Sequence, residues 1–100
     1  MNKYEKKAKD QLVKLYDHVQ GPMPRTRWGE KDHFTLWDFV CFNEKGGALV
    51  QVGVHYLTQA GKRLKADAMI NFKCPPNIRK EYWRWDHKKK QFIVTLLEVK

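Results

Sequence analysis

Acidic side chains are scarce in this chain: eleven Asp and Glu stand against twenty Lys and Arg, a formal charge of +9 over 100 residues. So strong a positive field on a small protein suits a polyanion, and nucleic acid is the leading expected partner. A merely soluble basic surface is the plainer alternative. Cysteine is scarcer still. Cys41 and Cys74 make no disulfide framework, and no further ligands stand at zinc-like spacing. No apolar run is long enough to span a bilayer, which argues against a membrane protein. The lysine-rich amino terminus lacks the apolar segment of a secretory signal, so a reduced, cytoplasmic setting is expected. A Gly-rich phosphate loop, a Ser-centred nucleophile motif and an internal repeat are all missing, so none of their chemistries competes.

What is present argues for a folded globule. Hydrophobic residues make up 42% of the chain and aromatic residues 13%, enough for one core, and residues 1–100 read as a single domain. The organising stretch runs from Lys31 to His55 and reads as a β-hairpin. Leu36 to Phe42 is apolar apart from Asp38, and Ala48 to Val54 is interrupted by Gln51 and Gly53. Side chains alternate faces along a strand, so any even-length loop puts Asp38 and Gln51 on one face. A two-residue turn at Glu44 and Lys45 sets them directly opposite; a four-residue loop, Glu44 to Gly47, makes them diagonal neighbours. Either way two oxygen-bearing side chains converge.

Residues 3–19 read as an amphipathic helix, with Ala8, Leu12, Leu15, Tyr16 and Val19 on one stripe. Glu5 projects near the edge of that stripe and Asp10 nearly opposite it, so of the two acids only Glu5 faces a site at the core margin. Its plainer role is a first-turn acid favoured by the helix dipole. Gly21, Pro22 and Pro24 end the helix, and Arg25 to Trp28 reads as a short strand or arm whose Arg25 and Arg27 are candidate phosphate contacts. After the hairpin, Thr58 caps a second helix from about Gln59 to Asn71, with Ala60, Leu64, Ala68 and Phe72 on one side and Lys62, Arg63 and Lys65 elsewhere. Glu81 to Asp86 and Gln91 to Val99 form a second hairpin about a basic turn, His87 to Lys90. Trp83 and Trp85 read as sheet packing rather than base stacking. The order α-βββ-α-ββ makes a mixed α/β fold, with the second helix as a crossover that brings the two hairpins side by side.

The segment WDFVCFNEKGGALVQVG, with Asp38 on one strand and Gln51, Val52 and Gly53 on the next, resembles the PD-(D/E)XK nuclease superfamily. That superfamily has the restriction-endonuclease-like fold and includes Holliday junction resolvases. More closely, KDHFTLWDFV followed by LVQV is similar to small phage-type proteins that read DLFGFxDL, then VQV, a basic helix and a late W-x-W strand. Asp32 and Asp38 keep their interval here, and Trp83 and Trp85 fall on the late strand. The resemblance implies a restriction-endonuclease-like mixed sheet flanked by two helices. It also implies a Mg²⁺- or Mn²⁺-dependent endonuclease acting on duplex or branched DNA, working as a homodimer. Asp38 is then the anionic ligand, with the Gln51 amide oxygen and the Val52 carbonyl as further ligands and Glu5 as a second carboxylate. Lys62, Arg63 and Lys65 join Arg25 and Arg27 as DNA contacts.

One departure is informative. Gly53 stands where the active-site lysine belongs, so a lysine has to reach over from the second helix, from Lys62 or Lys65. The alternative is a nuclease-like module that binds nucleic acid without cutting it. A hydrogen-bonded Asp38 and Gln51 couple that only fixes strand register is the plainest reading of the pair. Of the four histidines, His33 and His55 flank the hairpin and are the acid/base candidates.

Overall fold

The computed structural model describes residues 2–22, 36–59 and 61–98. Its elements run α1 (Lys3–Leu15), β1 (His18–Gln20), β2 (Phe39–Asn43), β3 (Gly46–Gly53), α2 (Arg63–Asn71), β4 (Ile78–Asp86) and β5 (Gln91–Leu96). The strands form one five-stranded mixed sheet in the order β1-β2-β3-β4-β5. Three pairings are antiparallel, and β4 alone runs parallel to its neighbour, β3. A parallel pair needs a long crossover connection, and α2 supplies it. The molecule is therefore α/β, with a helix against each face of the sheet. No helix among the described residues is long and apolar enough to cross a membrane.

Alternation along the strands sorts the core into two halves. Phe39, Cys41, Ala48, Val50, Val52 and Trp83 face α1 and enclose its Ala8 and Leu12. Trp37, Leu49, Tyr82 and Leu97 cluster with Met69 of α2 on the other face.

The first helix is shorter than its apolar stripe predicts, ending at Leu15 rather than Val19. It starts with a capping box: the Asn2 side chain accepts the Glu5 N–H at 2.8 Å, and the Glu5 carboxylate accepts the Asn2 N–H at 3.4 Å. It stops because Asn43, on β2, accepts the Asp17 N–H at 2.7 Å and donates to the Leu15 carbonyl at 3.3 Å. These two bonds turn the chain into β1, which pairs with β2 from His18 opposite Phe42 to Gln20 opposite Val40. The first strand is thus His18–Gln20; the arm expected over Arg25–Trp28 lies outside the described residues.

The hairpin turn is the two-residue one, since Asn43 pairs with Gly46. The second helix begins at Arg63, not Gln59, and Thr58 does not cap it: Lys62 holds the N-cap position without a side-chain bond. Gly61, at φ +86°, takes the left-handed conformation that breaks the path from Thr58 into the helix. Its buried residues are Ala66 and Met69, while Leu64, placed on the inner side by the periodicity, is 88% exposed. The far end of α2 is held from the sheet. Lys80, buried in β4, donates its ammonium to the carbonyls of Ile70 and Phe72, the latter at 2.8 Å, and a cation there also suits the helix dipole. The last strand ends at Leu96, short of Val99, and Trp83 and Trp85 pack as expected, each against Phe92.

Candidate functional site

Asp38 lies in a bend just before β2, and its N–H bonds the Val50 carbonyl at 2.9 Å, although Val50 is also the register partner of Phe39. Two residues opposite one is the pattern of a β-bulge, which breaks simple alternation and re-aims a side chain. This explains why Trp37 belongs to the α2 side while Phe39 belongs to the α1 side. It also corrects the expectation that Asp38 would sit squarely opposite Gln51. The buried carboxylate instead reaches across to accept the Val52 N–H at 2.8 Å, beside Gln51. The Gly21 backbone packs closely on the other side of this bend, where a methyl group would overlap the Asp38 carbonyl oxygen.

Gln51 alternates with Val50 and Val52 and so faces α2. Its amide is oriented by its neighbours: the nitrogen donates to the Leu36 carbonyl at 2.6 Å, and the oxygen accepts from Lys65 Nζ at 3.3 Å. The amide end also lies 3.5 Å from the Val52 carbonyl oxygen. Lys62 and Lys65 line one small pocket of about 110 Å³ with Gln51, Gly53, His55 and Tyr82. Lys65 of the second helix therefore reaches Gln51.

The structure also accounts for Gly53. A methyl group at this position would overlap the Tyr82 hydroxyl, which donates to the His55 carbonyl at 2.6 Å. The space a strand lysine would occupy is filled from β4. Burial, ahead of a smaller push from the Asp38 charge, raises the Tyr82 pKa against the opposing pull of Arg84 and the His55 bond, so the hydroxyl stays a donor at neutral pH.

Glu5 is not brought to this group. It belongs to the capping box of α1, which packs on the face opposite Gln51. Arg63 is exposed and pairs with Asp67 at 3.8 Å. The His55 side chain is exposed, and Arg25, Arg27, Asp32 and His33 lie outside the described residues. Sequence reasoning did not assign Tyr82 to the site. The signal for α2 was present, because Lys62, Lys65, Ala66 and Met69 share one helical stripe.

Asp38, Gln51 and the Val52 carbonyl offer only oxygens, the ligand type that Mg²⁺ and Mn²⁺ take. With one carboxylate among them, and no group of three or more His, Cys, Asp or Glu side chains among the described residues, the set fits such an ion weakly. Lys65 supplies positive charge at the same place. No protein-family model, curated protein or solved structure gives a significant match to the chain.

Proposed function

We propose that the protein is a DNA-processing phosphodiesterase of the PD-(D/E)XK class, a Holliday junction resolvase-like endonuclease that acts on duplex or branched DNA as a homodimer. One observation carries the reading: near the end of β3 the Gln51 amide oxygen accepts from the Lys65 ammonium at 3.3 Å, and the next residue, Val52, gives its N–H to the Asp38 carboxylate at 2.8 Å. These are the groups the resemblance asks for, with the lysine drawn from α2 because Tyr82 fills its usual place. The element order supports the same class: a helix, a three-stranded meander, a crossover helix and a strand parallel to the third.

In this reading Asp38, Gln51 and the Val52 carbonyl hold Mg²⁺ or Mn²⁺, which when bound neutralises charge on the scissile phosphate and makes the attacking water more acidic. The Val52 N–H orients the Asp38 carboxylate. Lys65 stabilises the charge that builds on the phosphoryl oxygens, and Lys62 draws the backbone into the pocket. A second reading, a nuclease-like binding module that does not cut, is favoured by the single carboxylate of the donor set.

A gel assay separates them, using wild type, Asp38→Ala and Lys65→Ala on duplex, single-stranded and four-way-junction DNA with Mg²⁺, Mn²⁺ or EDTA. The expected result is cleavage that needs the metal, is lost in Asp38→Ala and falls about a hundredfold in Lys65→Ala. Binding without cleavage, insensitive to metal and to Asp38→Ala, would leave only the binding module.

A further inference from the structure

The basic turn between β4 and β5 plays no part in the site described above. Asp86 pairs with Gln91, so His87 to Lys90 form a four-residue turn. Its shape is fixed. The Asp86 carboxylate accepts the Lys88 N–H at 2.9 Å and the Lys89 N–H at 3.0 Å, and Lys90 closes the turn at φ +51°. Three consecutive exposed lysines are thereby held on a rigid scaffold. The start of α1 lies alongside: Tyr4 meets Trp85 at 6.1 Å and the His87 ring edge-on at 5.9 Å. Lys7 sits over the Trp85 ring at 5.2 Å and Lys3 over Tyr4 at 5.1 Å.

The positive charge on this surface exceeds the negative: five lysines stand beside Glu5 and Asp86. None of Lys3, Lys7, Lys88, Lys89 and Lys90 forms an ion pair among the described residues. Glu5 is turned to the backbone N–H of Asn2, and Asp86 accepts two backbone N–H groups with one oxygen while the other lies 4.0 Å from Arg84, so these two acids offset only part of the charge of the five lysines. The surface also stands at the same end of the sheet as the candidate site. Gly53 pairs with Arg84, and Asp86 is two residues further along β4, about 7 Å.

The geometry points to a second DNA contact: Lys88, Lys89 and Lys90, with Lys3 and Lys7 on the α1 side, bind the phosphate backbone of a duplex that runs across this end of the sheet from the pocket of Gln51, Lys62 and Lys65. This rests on the DNA-processing reading above and adds to it the form of nucleic acid engaged. Single-strand binders present open aromatic faces for bases to stack on. Here Trp85 is taken up by Tyr4, Phe92 and Lys7, and Trp83 is buried, so the surface offers charge without a stacking platform. Such contacts position a duplex and carry no sequence information.

The test is binding of a labelled duplex, in EDTA and over a range of salt, by wild type, a Lys88→Gln/Lys89→Gln/Lys90→Gln variant and a Lys3→Gln/Lys7→Gln variant. Every phosphate that a variant leaves unneutralised flattens the salt dependence by about 0.9, so the turn variant should bind about tenfold more weakly with a slope shallower by roughly 2 to 3. The weakening should be the same on unrelated sequences, and the α1 variant should show a smaller effect of the same kind. Wild-type affinity and slope in both variants, with weakened binding in Lys62→Gln/Lys65→Gln, would overturn the second contact and leave the DNA reading intact. No salt-dependent duplex binding by wild type would remove both.

Discussion

On the α1 face, Phe39, Cys41, Val50, Val52 and Trp83 close over Ala8 and Leu12, and the charged group beside them, Glu81, is satisfied by the Trp83 indole N–H at 3.1 Å and by Arg79 at 3.2 Å. The α2 face buries Lys80 in its sheet, sets Lys65 against Gln51 and leaves the buried Trp37 Nε1 without a hydrogen-bond partner among the described residues. The helices differ in the same sense. α1 has a capping box and two fully buried side chains, whereas α2 is nine residues long, lacks an N-terminal side-chain cap and has its far end secured by a lysine from β4. Apolar burial is non-directional and tolerant, while every polar group buried needs its own partner. The α1 face therefore pairs its acid, Glu81, with Arg79 beside an otherwise apolar cluster, while the α2 face gives up some stability to hold Lys80 and Lys65 beside a pocket.

The largest effect that would test this division comes from the α1 face. Trp83→Ala should destabilise the protein by about 3–5 kcal/mol, read as a lower midpoint of chemical denaturation. A change no bigger than that of a surface substitution would mean that the apolar cluster is not the main support.

A smaller and more local effect is expected on the other face. Lys80→Met keeps the length of the side chain but leaves the Ile70 and Phe72 carbonyls without their donor, at a cost of about 1–3 kcal/mol. Because α2 depends on this anchor, its amide protons should exchange faster than those of α1. An equal rise in both helices would show that α2 has no separate stability, and the contrast between the faces would weaken.

The same contrast governs how much was legible in the sequence. The hairpin, the crossover helix and the late strand pair were readable because each depends on local turn chemistry or on periodicity, whereas the choice between a two-residue and a four-residue hairpin loop was settled only by the pairing of Asn43 with Gly46. Three further features were not readable, for tertiary reasons. Asn43 ends α1 from another strand, so the apolar stripe ran on past the true end of the helix. The bulge at Asp38 depends on how β2 meets Val50, which no period-two pattern registers. The inner face of α2 was misread because Leu64 is the most apolar residue of its first turn yet lies outside. For the candidate site, the approach of Asp38 to the Gln51–Val52 segment was readable from hairpin parity, whereas the meeting of Lys65 with Gln51 depended on how α2 packs, Glu5 was taken up by helix capping and the part played by Tyr82 depended on the parallel pairing of β3 with β4.

The smallest expected effect comes from Cys41, at the closed side of the comparison. Burial, with the Glu81 charge second, pushes its thiol from the ordinary 9.0 up to about 12. Between those values the folded protein keeps the proton while the unfolded chain loses it, so the unfolded state binds fewer protons and stability falls as pH rises. Below about pH 9 the thiol is protonated in both states and has no effect on the pH dependence. The decline should begin there and continue until the folded thiol also ionises. Cys41→Ala should therefore show a shallower alkaline decline of stability than wild type. Thiol labelling at neutral pH checks the packing behind it: the partly exposed Cys74 should react in the folded protein and the buried Cys41 only on unfolding. Two fast-reacting thiols would mean that the α1 face opens readily, and it would then no longer be the more stable of the two.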